Sequence, residues 1–558
     1  MAKLAKSYHT FIFPFIWQHE DRKEIDFATI INNFNKSDIW GDDDLQDYQK
    51  IGIECSDDSQ TDFYSNMSKY AMYQYFQPAI REAIFGKKNK NAKKQQKDVV
   101  QNFTFKPIDS ANESYYSIVK NGIIYKLYLT SVKLRIYNTG VGLLCFVCEN
   151  RDYNDIETIK RINDYGRRIS LPFFPKKSSE FFLCADILSV SWDESSLEED
   201  FTNYIDSVTI SGEDADFHHV ADFIIKILNH SSEENIKNGL YFTTDESKKD
   251  DKYIFIQPAL DDRMFVMCAV NNTLKNFFAP HEYSYVTEYL KKIDSEEKIK
   301  DTYRSESFEK SLYELIFCDP PNGCSCQSAA MRKKLIKDHL YSRWLGFGTL
   351  YSIAAQAFIV VCDGNAAEHI FTHFHTMYYE MICLVLVQRT SLRQFQNEAS
   401  YLSAHVEDRN RKVDKQTRQD IANLQEKLIA FQNQINLYEI SSQEQAIELY
   451  DMMRDVFLVS KHTSILQEQL DGLYNIANIH QSNNISHWAL VVAGAAIVIA
   501  MPSFWGDSPV WPGHFDVISV FWDDMHGCGD NSWSGTVFWL KVLVLIGLGV
   551  YIWSQRNK

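Results

Sequence analysis

The chain has 558 residues, with 57 Lys plus Arg against 74 Asp plus Glu and a net charge of −17. A generic nucleic-acid binder needs a basic surface to displace counterions, and this balance argues against one. With only 22 Gly and 12 Pro and a mean hydropathy of −0.31, collagen, low-complexity linkers and a many-span carrier are excluded as well.

In chain order, residues 10–17, TFIFPFIW, form an apolar run carrying Pro14. It leads into His19, Glu20 and Asp21 without a small-residue cleavage site, so it reads as a buried strand and not as a signal peptide. Residues 86–97 carry six lysines and no apolar anchor; they read as a solvated loop. Val132, Leu134 and Ile136 alternate with Lys133, Arg135 and Tyr137, which is the period of a half-buried strand. Asn138-Thr139-Gly140 is turn chemistry, and Leu143–Cys148 returns as the second strand. Ile254–Gln257 and Met264–Val270 predict another strand pair around an acidic turn at Asp261 and Asp262. The eleven cysteines are scattered without a framework spacing, which predicts a reducing compartment. Cys318, Cys324 and Cys326 lack the paired spacing of a zinc site. Leu345–Cys362 has no charge, but it also has no aromatic belt, and it reads as buried strand structure.

Two basic motifs stand out in a part of the chain without phosphate-loop, nucleophile-elbow or dinucleotide motifs. Arg167 and Arg168 close the phrase INDYGRR, just before LPFFP, and Arg343-Trp344 precedes the uncharged stretch. Guanidinium beside an aromatic pocket suits a nucleotide, with phosphate on Arg and base on the ring. A structural salt bridge is the other reading of the same residues. Asp261, Asp262 and Arg263 carry the same two readings. His369, His373 and His375 lack the glutamate of a zinc-protease helix and read as core or surface histidines.

Residues 404–485 are charged and almost free of Gly and Pro. Ile421, Leu424, Leu428, Phe431, Ile435 and Tyr438 recur at alternating spacings of three and four, a heptad seam. Leu466, Leu470, Leu473 and Ala477 repeat it. Ser442 is the expected cap of a helix that continues to Met501, interrupted at most at Gly472; an ordinary helical hairpin is the alternative.

Seven of the eleven tryptophans lie between Trp488 and Trp553, where rings would sit at a membrane interface. Trp488–Met501 has no polar side chain, and extended to Trp505 it spans roughly 27 Å as a helix. Thr536–Trp553 is broken only by Lys541, which can snorkel. Between them, residues 502–535 carry five aspartates and no Lys or Arg, and the tail carries Arg556 and Lys558. The positive-inside rule then predicts two spans of the plasma (inner) membrane, an acidic outer loop, and both termini in the cytoplasm. Ala489, Ala493, Ala496 and Ala500 place small residues along the first span, and with Val498 they would line a narrow pore that closes by dewetting. Asp523 and Asp524 would gather cations at its outer mouth.

The expected organisation is an α+β cytoplasmic ligand-sensing domain (1–365), long coiled-coil stalk helices (366–485) and two C-terminal transmembrane helices (486–558). That order of parts, with the phrases HTFIFPF, NTGVGLL, INDYGRR and DDRMF, resembles the CorA-like divalent-cation channel superfamily. Within it, the chain looks like the divergent branch associated with type III CRISPR systems. Where the superfamily carries Gly-Met-Asn after the first span, this chain reads AMPSFWG. The resemblance implies a non-enzymatic homopentamer in antiviral defence, opened by a nucleotide second messenger, a conjugate of S-adenosylmethionine and AMP. A divalent metal cation transporter and a non-conducting membrane-tethered scaffold are the alternatives; no metal ligands are assigned.

Overall fold

The computed structural model describes residues 5–18, 27–42, 70–86, 99–108, 113–170, 184–204, 220–229, 241–243, 253–260, 263–278, 283–293, 302–321, 325–406 and 415–477. Its centre is a mixed sheet of fourteen strands. These are β1 (Ser7–Gln18), β2 (Trp40–Asp42), β3 (Val100–Phe105), β4 (Tyr115–Lys120), β5 (Ile123–Tyr137), β6 (Val141–Asn150) and β7 (Ile187–Trp192). They continue with β8 (Ser195–Asp200), β9 (Tyr241–Thr243), β10 (Tyr253–Pro258), β11 (Phe265–Asn271), β12 (Leu340–Tyr341), β13 (Leu350–Ala354) and β14 (Ala357–Cys362). The main path runs β12-β13-β14-β11-β1-β6-β5-β4-β7-β8, with β9, β10, β2 and β3 branching from it. The architecture is α+β, as the patterning predicts.

The run TFIFPFIW is the middle of the sheet. Phe11, Ile12, Phe13, Phe15 and Ile16 are at most 1% exposed, because β1 pairs on both edges and is covered on both faces. The β5–β6 hairpin forms as expected, with Gly140 at φ 85° supplying the turn conformation that side chains avoid. β10 and β11 do not form the predicted hairpin. Both pair with the same edge of β1, end to end: Ile12 opposes Phe265, and Phe15 opposes Pro258. β10 ends at Pro258 and β11 begins at Phe265, so the partner of β1 is interrupted there. The Pro14 carbonyl still accepts from the Ala259 amide at 2.9 Å. A strand residue presents its N–H and C=O on one edge, so the donor Pro14 lacks would have faced this interruption.

Five helices matter below: α1 (Ile156–Gly166), α2 (Thr302–Phe317), α3 (Tyr379–Val406), α4 (Lys415–Gln434) and α5 (Glu444–Val456). The Asp155 carboxylate caps α1 by accepting from the Thr158 amide at 2.8 Å. Ile159 and Ile162 of α1 and Phe308, Leu312 and Leu315 of α2 bury into the core on one face of the sheet. A Cβ on Gly166 would lie 2.7 Å from the Phe11 ring, so only Gly lets the end of α1 sit on β1. The other face is covered by α3: Arg135 of β5 makes two hydrogen bonds to Glu380, at 2.5 and 2.7 Å.

The charge-free stretch 345–362 is strand, β13 and β14, preceded by one 3₁₀ turn. The predicted heptad seam is buried at Leu424, Leu428, Phe431 and Ile435. Its partners belong to this chain: Phe431 meets Phe395 of α3 at 5.6 Å, and Asn436 donates to Thr463 at 3.1 Å. Tyr438 lies beyond the end of α4 and is 74% exposed, so it is not part of the seam. The helix expected from Ser442 onward is also interrupted. Gln443, not Ser442, holds the cap position. The helix α5 stops at Phe457, which packs on Phe265 at 5.9 Å, and Leu458 takes φ 55°. Residues 459–477 resume as helix, straight through Gly472.

Residues 1–401 and 422–470 make one compact unit, and residues 402–421 with 471–558 make a second. Among the described residues, one helix, 368–406, is long and apolar enough to cross a membrane, and 78% of its apolar window is buried inside the protein. Its Gln388 donates to the Ile435 carbonyl and to Tyr450 at 2.8 and 2.7 Å. Both predicted spans, the acidic loop, Ala489, Ala493, Ala496, Val498, Ala500, Asp523 and Asp524 lie outside the described residues, as does the lysine run from 87 to 97.

Candidate functional site

The structure brings three of the predicted arginines together and leaves the fourth apart. Arg167 and Arg168 follow the end of α1. The Met264 amide donates to the Arg167 carbonyl at 2.7 Å, and Arg168 bridges Arg263 in antiparallel fashion. Arg263 and Met264, just before β11, thus dock on the INDYGRR phrase. Asp261 and Asp262 lie outside the described residues.

Arg167 is 1% exposed, and its guanidinium is committed within the protein. It donates to Gln356 Oε1 at 2.7 Å and to the Cys318 carbonyl at 2.9 Å, with Asp164 3.6 Å away. Cys318 ends α2 in the left-handed region, φ 53°. The Asp319 amide donates to Glu314, and the Cys318 amide to Leu315, the bond pattern of a Schellman cap. Arg167 therefore places its charge on the last carbonyls of a helix, where the dipole favours a cation. Burial pulls its guanidinium below the ordinary arginine value. Arg168 donates twice to Asp164 Oδ1, at 3.1 and 2.9 Å. Here the structural reading of these two arginines is the one the geometry supports.

Asp319 stands beside this cluster. Desolvation pushes its carboxyl up to about 6, while Arg167 and Arg263 pull it down and Asp164 and Glu314 push it further up. The folded pKa lies above the unfolded value, so the folded state binds the extra proton, and this stabilising contribution is lost as pH rises from about 4 through 6. Asp319→Asn is expected to raise the unfolding temperature at pH 7 and to leave it unchanged at pH 4. A pH series of thermal melts of parent and variant checks this, and equal shifts at both pH values would refute it.

Arg343 lies elsewhere. Tyr341 of β12 pairs with Tyr351 near the start of β13, whereas Gln356, the partner of Arg167, follows its end. The two sites thus lie toward opposite ends of β13. Arg343 is exposed and donates to Glu448 at 2.6 Å and to Glu444 at 3.1 Å, both on α5. Its guanidinium lies 5.5 Å from the Trp344 ring, and the Tyr341 hydroxyl donates to Glu448. These bonds raise the Arg343 value and lower that of Glu448. Leu340, Tyr341, Ser342, Arg343, Glu444 and Glu448 line an open depression of about 470 Å³. Glu444 and Glu448 are four apart on one helix face, a spacing visible in the sequence.

A third cluster has the connectivity of a hydrolase relay but not its setting. His9 Nδ1 donates to Asn163 Oδ1 and Ser7 Oγ donates to His9 Nε2, both at 2.8 Å. All three side chains are at most 1% exposed, and Ser7 Oγ already accepts from Asn150 at 2.7 Å. Burial pulls His9 down to about 4, which disfavours taking the nucleophile's proton. The network ties β1 to α1. No group of three or more His, Cys, Asp or Glu side chains that could hold a metal occurs among the described residues. His369 and His373 meet edge to face with ring centres 5.7 Å apart, and His375 packs on Tyr8.

No family model, no curated protein and no solved structure matches this chain.

Proposed function

We propose that the chain is a membrane effector gated by a small nucleotide, with the depression at Arg343 as the sensing site. The observation that carries this reading is where Arg343 sits. Through Glu444 and Glu448 it holds α5 to the sheet, and α5 leads into residues 459–477 and on toward the apolar run at 488–501. The volume falls within the range of small-ligand sites. A phosphate would compete for Arg343, Trp344 offers a ring for the base, and the two glutamates released would suit a positive charge on the same ligand. The conjugate implied by the CorA-like resemblance, with a phosphate and a sulfonium, combines these groups. In this reading two C-terminal spans cross the plasma membrane, both termini are cytoplasmic, and a homopentamer encloses the pore.

Ligand binding opens the pore only by its differential affinity for the open state. Loss of the Arg343 latch is the structural difference offered here. The test is ion flux from liposomes carrying the full chain, with and without S-adenosylmethionine–AMP conjugate. The parent should conduct only with nucleotide. Glu448→Gln should leak several-fold above the parent without it, and Arg343→Ala, which removes both latch bonds and the phosphate contact together, should leak at least as much and not respond to nucleotide. Flux indifferent to nucleotide would favour the divalent-cation transporter instead, and no flux under any condition would favour the scaffold.

A further inference from the structure

Two histidines of the helix Gly364–His373 stand one turn above the other. His369 and His373 are four apart, so they share a helix face, and their ring centres lie 5.7 Å apart. His369 is exposed and His373 half-buried, so the pair opens to solvent. Among the described residues, neither ring has a hydrogen-bond partner in the protein. His9 and His339 differ in this: each spends a ring nitrogen on the protein, at 2.8 Å on Asn163 and at 2.6 Å on the Ile353 carbonyl. His375, two residues beyond His373, packs on Tyr8 with ring centres 4.7 Å apart and takes no part in the pair.

The glutamate missing from this helix is the general base of a zinc protease and not one of its metal ligands. Its absence removes that chemistry and leaves the chelating pair. Two imidazoles on one metal, with metal–nitrogen bonds of about 2.0–2.1 Å, set their ring centres about 4.5–5.2 Å apart for angles between octahedral and tetrahedral. The observed 5.7 Å exceeds the tetrahedral value by about half an ångström, which a small rotation of the exposed His369 side chain closes. No third His, Cys, Asp or Glu side chain joins the pair among the described residues, so the chain supplies two ligands.

We propose that His369 and His373 form a divalent transition-metal site, two imidazoles on adjoining helical turns with water in the remaining coordination positions. Imidazole suits Zn2+, Ni2+ and Cu2+, whereas Mg2+ and Ca2+ take oxygen ligands. The bound ion ties the last turns of this helix together just ahead of the π-helical turn Phe374–Tyr378, which leads into α3. The inference does not depend on the function proposed above.

The test is calorimetric titration of Ni2+ into the full chain, purified without a histidine tag and stripped with a chelator. Ni2+ is the probe because thiolates select softer ions, and this chain carries eleven cysteines. His369→Ala removes an exposed ring and is expected to fold as the parent does. It should lose about one equivalent of Ni2+, or bind it more than tenfold more weakly. Excess Mg2+ should not displace the ion. His373→Ala should lose the same equivalent, and Thr372→His added to it should restore binding, because positions i and i+3 also share a face. That rescue separates chelation from a packing role of His373. Equal Ni2+ binding by the parent and His369→Ala would mean an adventitious ion only and would overturn the proposal, as would displacement by Mg2+.

Discussion

Glu380→Ala is expected to cost the compact unit about 3–5 kcal/mol, because it leaves the Arg135 guanidinium buried without its counter-charge. The side chains of Arg135 and Glu380 are 2% and 3% exposed, so water cannot replace the lost carboxylate. Total stabilities of roughly 5–15 kcal/mol make this a large share. The pair also anchors α3 to the sheet at its first turn. The effect belongs to the broken pair and not to any net worth of the ion pair. Replacing both partners with apolar residues, Arg135→Met with Glu380→Leu, should recover most of the loss. Equilibrium unfolding of the parent, the single variant and the double variant measures both statements. A single variant within about 1 kcal/mol of the parent would show that Arg135 finds water or another partner.

The sheet was readable wherever one residue pattern carried one cause. Continuous apolar residues in TFIFPFIW meant burial on both faces, alternation in 132–137 meant one strand of a hairpin, and Asn-Thr-Gly meant its turn. The pairing of β10 was not readable, because periodicity reports that a strand exists but not which edge it joins. Pro14 did carry that information: a proline in a central strand requires a gap in its partner, and the gap lies between Pro258 and Phe265. The seam at 421–435 was visible as a stripe, but a stripe does not say whether its partner is another copy or the same chain. Here it is Phe395 and the neighbouring helices of this chain. The break at Phe457–Leu458 was hidden because a leucine carries no turn signal; tertiary packing of Phe457 on Phe265 and Arg389 imposes it. Of the charged sites, Asp164 with Arg167 and Arg168 was written locally, at i+3 and i+4. Arg135 with Glu380, 245 residues apart, left no local trace.

Arg167→Ala is expected to destabilise the compact unit by about 3–5 kcal/mol, and Arg167→Lys by roughly 1–3 kcal/mol. The argument rests on what the fork holds. One arm reaches the turn between β13 and β14 through Gln356, and the other reaches the C-terminal carbonyl of α2 through Cys318. Alanine would leave the buried Cys318 carbonyl unpaired and the half-buried Gln356 side chain without its donor. Lysine keeps the charge but cannot span two acceptors in the plane of a guanidinium. That distinction separates a clamp from a phosphate contact. A phosphate site at Arg167 would tolerate lysine with little change in folding and a modest loss of ligand. A clamp loses stability in both variants whether or not any ligand is present. Arg343→Ala is the internal control, because its donors lie on the surface and its removal should leave unfolding close to that of the parent. Thermal and urea unfolding of the three variants, each without nucleotide, gives the comparison. If Arg167→Lys unfolds with the parent, the clamp is wrong, and Arg167 returns to the candidates for binding a ligand.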